Sequence, residues 1–245
     1  MNDNVILIPS HLRATRLPNK PLLLINNKPM IVHCWNRAVE SNVGEVFVVT
    51  ADKEISDAII KYNGKTILTS KNHKTGTDRI FEAIEKNFKQ KPKNIINLQG
   101  DMPNIDPSAI KLLSNFINNN SYQIATLASI LKKKDMSNEN IVKVETSKNL
   151  SKENFVKAKD FFRKKDINKD SFYYHHIGIY AYTYESLNKF INFKRTQNEI
   201  DRSLEQMRAM DNGVAISVGL TDAYPLGVDT IEDLEKIRNI MNNAK

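Results

Sequence analysis

Glu45-Val46-Phe47-Val48-Val49-Thr50 is the stretch on which the fold turns. Its four central residues are apolar without alternation and are β-branched or aromatic, the pattern of a strand covered on both faces. A helix is expected next over residues 54–62, then a short strand over 66–68. A helix over 78–88 follows, with Ile80, Phe81 and Ile84 on one face. A buried strand over 94–98 and a helix over 107–118 continue the series. Upstream, residues 5–8 read as a strand and 29–39 as a helix, with Pro29 near its start. Strand and helix in alternation predict an α/β protein with a mostly parallel sheet flanked by helices.

The second half is less regular. Residues 124–131, 141–146, 156–159, 172–182 and 215–218 suit strands, and 200–210 and 231–241 suit helices. Charged loops are expected at 132–140 and 164–171. No Pro/Gly-rich linker, internal repeat or low-complexity tract separates the halves, so 1–245 is read as one domain with a smaller lobe inserted at about 120–195.

Composition narrows the class. The 245 residues are 40% hydrophobic and 26% charged, ordinary for a globular chain. No stretch approaches the roughly 20 apolar residues of a membrane span, and the N-terminus lacks the basic start of a secretory signal. The single cysteine, Cys34, sits in an apolar stretch and forbids an internal disulfide, which suits a cytoplasmic protein. The formal charge of +8 could serve nucleic acid or small anions, or be lysine-rich surface. The lysines are scattered and no basic stripe alternates with aromatics, so a nucleic-acid partner is not expected, nor a membrane.

In parallel α/β sheets ligands sit beyond the carboxyl ends of strands. The loops after Ile8, Thr50, Leu68 and Leu98 are therefore where chemistry is sought. The first, from Pro9 to Leu22, contains Arg13, Arg16 and Lys20 and no acid. It suits either phosphate binding or a solvated basic loop, and it lacks the P-loop pattern. Asp101 and Asp229 each follow a glycine closely and suit a metal site, a turn or a helix cap. Arg79 is either an anion ligand or an exposed arginine at a helix start, a poor place for a cation.

The ordered motifs carry a resemblance. The run His11-Leu12-Arg13-Ala14-Thr15-Arg16-Leu17-Pro18-Asn19-Lys20-Pro21-Leu22 resembles the R-x-x-S-T-R-L-P-x-K-P-L loop of sugar-nucleotide cytidylyltransferases. Thr50-Ala51-Asp52, Thr75-Gly76-Thr77-Asp78-Arg79 and Gln99-Gly100-Asp101-Met102-Pro103 follow in order. Later come His176-Ile177-Gly178-Ile179-Tyr180, Leu204-Glu205-Gln206-Met207-Arg208 and Gly227-Val228-Asp229-Thr230. Over nearly the whole chain they resemble the 3-deoxy-manno-octulosonate (Kdo) cytidylyltransferase family.

That resemblance implies a Rossmann-like nucleotide-diphospho-sugar transferase fold with a mostly parallel mixed sheet. It implies transfer of CMP from CTP to an acidic sugar, Kdo, for lipopolysaccharide synthesis, by a homodimer using Mg²⁺. A related acid, 8-amino-Kdo or a nonulosonate, is the alternative. Lys20, Arg16, Asp101 and Asp229 would be catalytic, with Asp101 and Asp229 on the metal. Arg13, Arg16, Lys20, Arg79, Gln99 and Asp101 would bind nucleotide. Arg163, His176, Glu205 and Gln206 would bind sugar. Read without the resemblance, His176 also suits a satisfied strand histidine and Arg163 a charged loop. Three departures stand out: His11 replaces the loop's first arginine, Ala14 its serine, and Arg202 a position where an acid is common.

Overall fold

Val5, Ile6, Leu7 and Ile8 are each no more than 2% exposed, and a strand so enclosed must be covered on both faces. They lie in β1 (Asn4–Ser10) of a computed structural model describing residues 4–119, 123–167 and 169–243. The chain divides into two compact units, residues 1–111 with 225–245, and residues 112–224. The lobe expected at about 120–195 falls inside the second.

In the first unit, β1 leads into a basic loop and a hairpin of β2 (Leu24–Ile25) and β3 (Lys28–Pro29). Then come α1 (Met30–Glu40), β4 (Glu45–Thr50), α2 (Lys53–Ile60), β5 (Lys65–Leu68), α3 (Gly76–Asn87), β6 (Asn94–Asn97) and α4 (Pro107–Asn119), which crosses the boundary between the units. β1 pairs parallel with β4 and β6, and β4 with β5, so the expected parallel sheet is present. Each helix exists because its apolar positions recur on one face. In α1, Met30, Ile31, Cys34 and Ala38 are all fully buried. Thr75 caps α3, its side chain accepting from the Asp78 backbone N–H at 3.2 Å.

The second unit comprises β7 (Ile124–Ile130), β8 (Lys143–Thr146), β9 (Val156–Phe162), β10 (Phe172–Thr183), α5 (Tyr184–Asn192), α6 (Gln197–Arg202), α7 (Met207–Asp211) and β11 (Ile216–Leu220). Its sheet is mixed: β10 runs antiparallel to β7 and β8, β11 is parallel to β7, and β9 is antiparallel to β8 and β11. The Phe155 ring fills the space over Gly219, where a Cβ would come within 2.3 Å of it. The single helix expected over 200–210 is two. Ser203, at φ 52°, stops α6, and a short turn precedes α7. Residues with left-handed φ end helices because the hydrogen-bond ladder cannot continue through them. The chain then returns to the first unit as α8 (Ile231–Asn243). Among the described residues no helix is long and apolar enough to cross a membrane.

Candidate active site

Apolar packing brings together three segments distant in sequence. Leu17 of the basic loop and Ile25 and Met30 beyond it form one buried cluster with Val228 and with Leu234 and Ile237 of α8. Each fully buried aliphatic side chain is worth roughly 1.5–3 kcal/mol, enough to fix where the neighbouring polar residues stand. The Val228 backbone N–H donates to the Asp101 carbonyl at 3.0 Å, joining the loop after β6 to the segment before α8. Asp229 and Asp101 are thereby held at Lys20.

Lys20 opens a short 3₁₀ turn after Asn19, which adopts φ 56°. Its Nζ lies 3.0 Å from Asp101 Oδ2 and 3.1 Å from Asp229 Oδ1. Arg16 Nη2 reaches the other Asp229 oxygen at 3.0 Å. Burial pushes the Asp229 carboxyl upward, but the Lys20 and Arg16 charges outweigh it and hold it below its ordinary value. Lys20 is pushed down by burial and more strongly up by Asp101 and Asp229. The Asp229 carboxylate therefore stays ionised, and Lys20 bridges it to Asp101.

These residues edge a cleft of about 390 Å³ in the first unit, which Arg13, Arg79 and Gln99 also line. All the residues expected at the nucleotide thus share one cavity. Its basic groups are Arg13, Arg16, Lys20, Lys74 and Arg79, against Asp101 and Asp229. Such an excess suits a polyanion. Two glycines let the walls approach: a Cβ at Gly76 would stand 3.1 Å from Pro9 Cγ, and one at Gly100 would stand 2.9 Å from Ile31 Cδ1.

Arg79 is not the exposed helix-start arginine considered above. It is 5% exposed, and its Nη1 donates to Thr69 Oγ1 at 2.6 Å and the Ser70 carbonyl at 3.2 Å, so it braces the loop after β5. Gln99 Nε2 donates to Asn97 Oδ1 at 3.2 Å. Asp52, quoted above only as part of a motif, anchors the basic loop by accepting the Leu12 N–H at 2.9 Å. Lys74 was not singled out; its place beside Thr75-Gly76 was the available signal. His11 accepts the Arg13 N–H on Nδ1 at 3.2 Å. Burial, then the charges of Arg79 and Lys20, lower its pKa, so it offers no fixed charge in place of an arginine. Cys34 is fully buried and its thiol is pushed far up by burial, which removes it as a nucleophile.

The four residues expected at the sugar lie in the second unit. His176 is 7% exposed, with Nε2 3.0 Å from Thr126 Oγ1 and its ring against Phe161. Burial lowers its pKa to about 3, so it acts as a neutral imidazole. The β10–β7 register shifts between Ile177 and Tyr180, a bulge that re-aims side chains beside His176. Arg163 spends Nη1 on the Glu139 and Asn140 carbonyls, at 3.1 and 3.3 Å. Glu205 and Gln206 sit in the turn before α7. Arg202, one of the departures, is accounted for: it pairs with Asp160 at 2.5 Å and donates to the Phe161 carbonyl at 3.0 Å.

Residues 5–216 match the model of the cytidylyltransferase family. The chain is 41% identical over 241 residues to the 3-deoxy-manno-octulosonate cytidylyltransferase of Bartonella tribocorum, covering 98% of each chain. It is likewise 41% identical to that of Thermodesulfovibrio yellowstonii, covering 97% of this chain and 98% of the relative. The chain belongs to the 3-deoxy-manno-octulosonate cytidylyltransferase family. A solved structure of CMP:2-keto-3-deoxy-manno-octonic acid synthetase complexed with CTP superposes with a TM-score of 0.86 at 34% identity, covering 99% of both chains. Membership makes the chain an enzyme of the nucleotidyltransferase class, with the nucleotidyltransferase fold that the motifs implied.

Proposed function

We propose that this chain transfers CMP from CTP to the anomeric hydroxyl of 3-deoxy-D-manno-octulosonate, releasing pyrophosphate and supplying lipopolysaccharide synthesis. The observation that carries the reading is the meeting of Lys20 with Asp101 and Asp229 at the edge of a basic cleft, in a chain of this family. The anomeric oxygen attacks the α-phosphorus in line, the bond to pyrophosphate breaks, and the hydroxyl proton passes to solvent. Arg16, Lys20 and Arg79 are suited to hold phosphate oxygens, and Arg13 and Gln99 to complete the nucleotide site. His176, Glu205, Gln206 and Arg163 are assigned to the sugar.

The donor set suits Mg²⁺. Two aspartate side chains that share one cationic partner supply hard oxygens, and nucleotide phosphates with water supply the rest. Asp101 and Asp229 would hold the ion; when bound, Mg²⁺ neutralises triphosphate charge and polarises the phosphoryl group. Positioning and charge neutralisation by the chain's own residues supply the remaining catalysis. Family membership further supports a cytoplasmic homodimer.

The test is pyrophosphate release from CTP with Mg²⁺ and Kdo. Release requiring all three, and little from ATP or UTP, is expected. Release with 8-amino-Kdo or a nonulosonate but not Kdo would overturn the assigned sugar and keep the chemistry.

A further inference from the structure

Glu205 and Gln206 stand on a turn that has little regular structure of its own. α6 ends at Ser203 in a left-handed conformation, and α7 begins only at Met207. Something must fix the two short helices against each other for the turn to present its side chains consistently.

One contact links them from within. Glu199 of α6 is 1% exposed and Arg208 of α7 is 2% exposed. Arg208 Nε donates to Glu199 Oε2 at 2.8 Å, and Nη2 donates to Oε1 at 2.7 Å. This two-point geometry restrains orientation as well as distance. Arg195 Nε adds a further bond to Glu199 Oε1 at 2.8 Å, and the Arg208 guanidinium lies over the Phe190 ring at 4.7 Å. The Leu204 N–H donates to the Glu199 carbonyl at 3.2 Å, so the turn starts from the same residue. Arg208 Nη2 is also 3.9 Å from Glu205 Oε1, which places its charge beside one of the assigned sugar contacts.

A buried ion pair contributes little net stability, because desolvation offsets attraction. Net stability therefore does not by itself account for the pair, whereas its two-point geometry fixes the orientation of one helix on the other. We propose that the Glu199–Arg208 pair is a positioning device for the acceptor sugar, setting α6 against α7 so that Glu205 and Gln206 meet the sugar hydroxyls in one arrangement. This rests on the assignment of Glu205 and Gln206 to the sugar.

The test compares Glu199→Gln, Arg208→Lys and the double variant E199Q/R208M with the unaltered enzyme. The readouts are thermal midpoint, KM for Kdo, KM for CTP and kcat. The double variant removes both buried charges and leaves the partly exposed Arg195 with the amide oxygen introduced at position 199 as acceptor, while Met keeps apolar contact with Phe190, so it regains much of the stability that either single variant loses. The expected result is a double variant with a near-normal midpoint, a KM for Kdo raised roughly tenfold or more, and an unaltered KM for CTP. Arg208→Lys, which keeps the charge but not the fork, shows the same selective rise. A double variant with normal KM for Kdo would overturn the proposal, as would KM values for both substrates rising together. Unaltered enzyme that binds CTP but shows no Kdo-dependent turnover would overturn the functional reading itself, and this proposal with it.

Discussion

Replacing Lys20 by Met tests whether one ammonium organises the nucleotide end of the site. Lys20 Nζ stands 3.0 Å from Asp101 and 3.1 Å from Asp229. At an effective dielectric of about 20 each attraction is about 5 kcal/mol, most of it offset by desolvation. Breaking a fully buried pair costs about 3–5 kcal/mol, and an exposed pair about 0–1. The side chain of Lys20 is 15% exposed, Asp101 31% and Asp229 45%. The expected loss lies between those limits, at about 2 kcal/mol. The single tryptophan, Trp35, lies in α1 of the first unit, so its fluorescence during urea unfolding follows the unit that holds Lys20. The pH dependence has a definite sign. The folded Asp229 carboxyl sits below its ordinary value, Lys20 and Arg16 together outweighing burial. The stabilisation is therefore complete above about pH 4, where the unfolded carboxylate is ionised, and is lost as pH falls through the folded value. The gap between native and K20M enzyme should be full at pH 7 and narrow below about pH 4. A gap below about 0.5 kcal/mol at pH 7, or one that does not narrow in acid, would refute the reasoning.

Asp101→Asn and Asp229→Asn should each lower pyrophosphate release by about a hundredfold or more, and near-normal turnover in either variant would remove that residue from the proposed metal site. His176, neutral in the fold down to about pH 3, protonates near 6.5 when unfolded. Its burial therefore weakens the fold as pH drops from about 6.5 towards 3, and His176→Asn should flatten that loss in acid unfolding curves. Gly100→Ala places a methyl 2.9 Å from Ile31 Cδ1 and 3.2 Å from the Pro9 carbonyl; a loss of about 1–3 kcal/mol is expected by urea unfolding. His11→Arg should lower KM for CTP severalfold at low salt, with the gain fading at high salt, because it adds a permanent charge where the imidazole is held neutral.

The sequence by itself determined the parallel half of the fold. Unbroken runs such as Val46 to Val49 have one stable solution, a strand enclosed on both faces, and the helices between them follow from periodic apolar positions. Position at strand ends and helix starts pointed to the loops that line the cleft, and the motif resemblance then named Arg13, Arg16, Lys20, Arg79, Gln99 and Asp101 within them. The two-helix break at Ser203 was hidden, since serine gives no local signal for a left-handed conformation. So was the role of Arg202, whose partner Asp160 lies 42 residues away. Only tertiary structure decided that Asp229 meets Lys20 across 209 residues, that Arg79 is buried, and that Glu199 and Arg208 close on each other. Local propensity acts over a few residues, whereas these contacts depend on which apolar faces pack together, as Leu17 does with Val228 and α8.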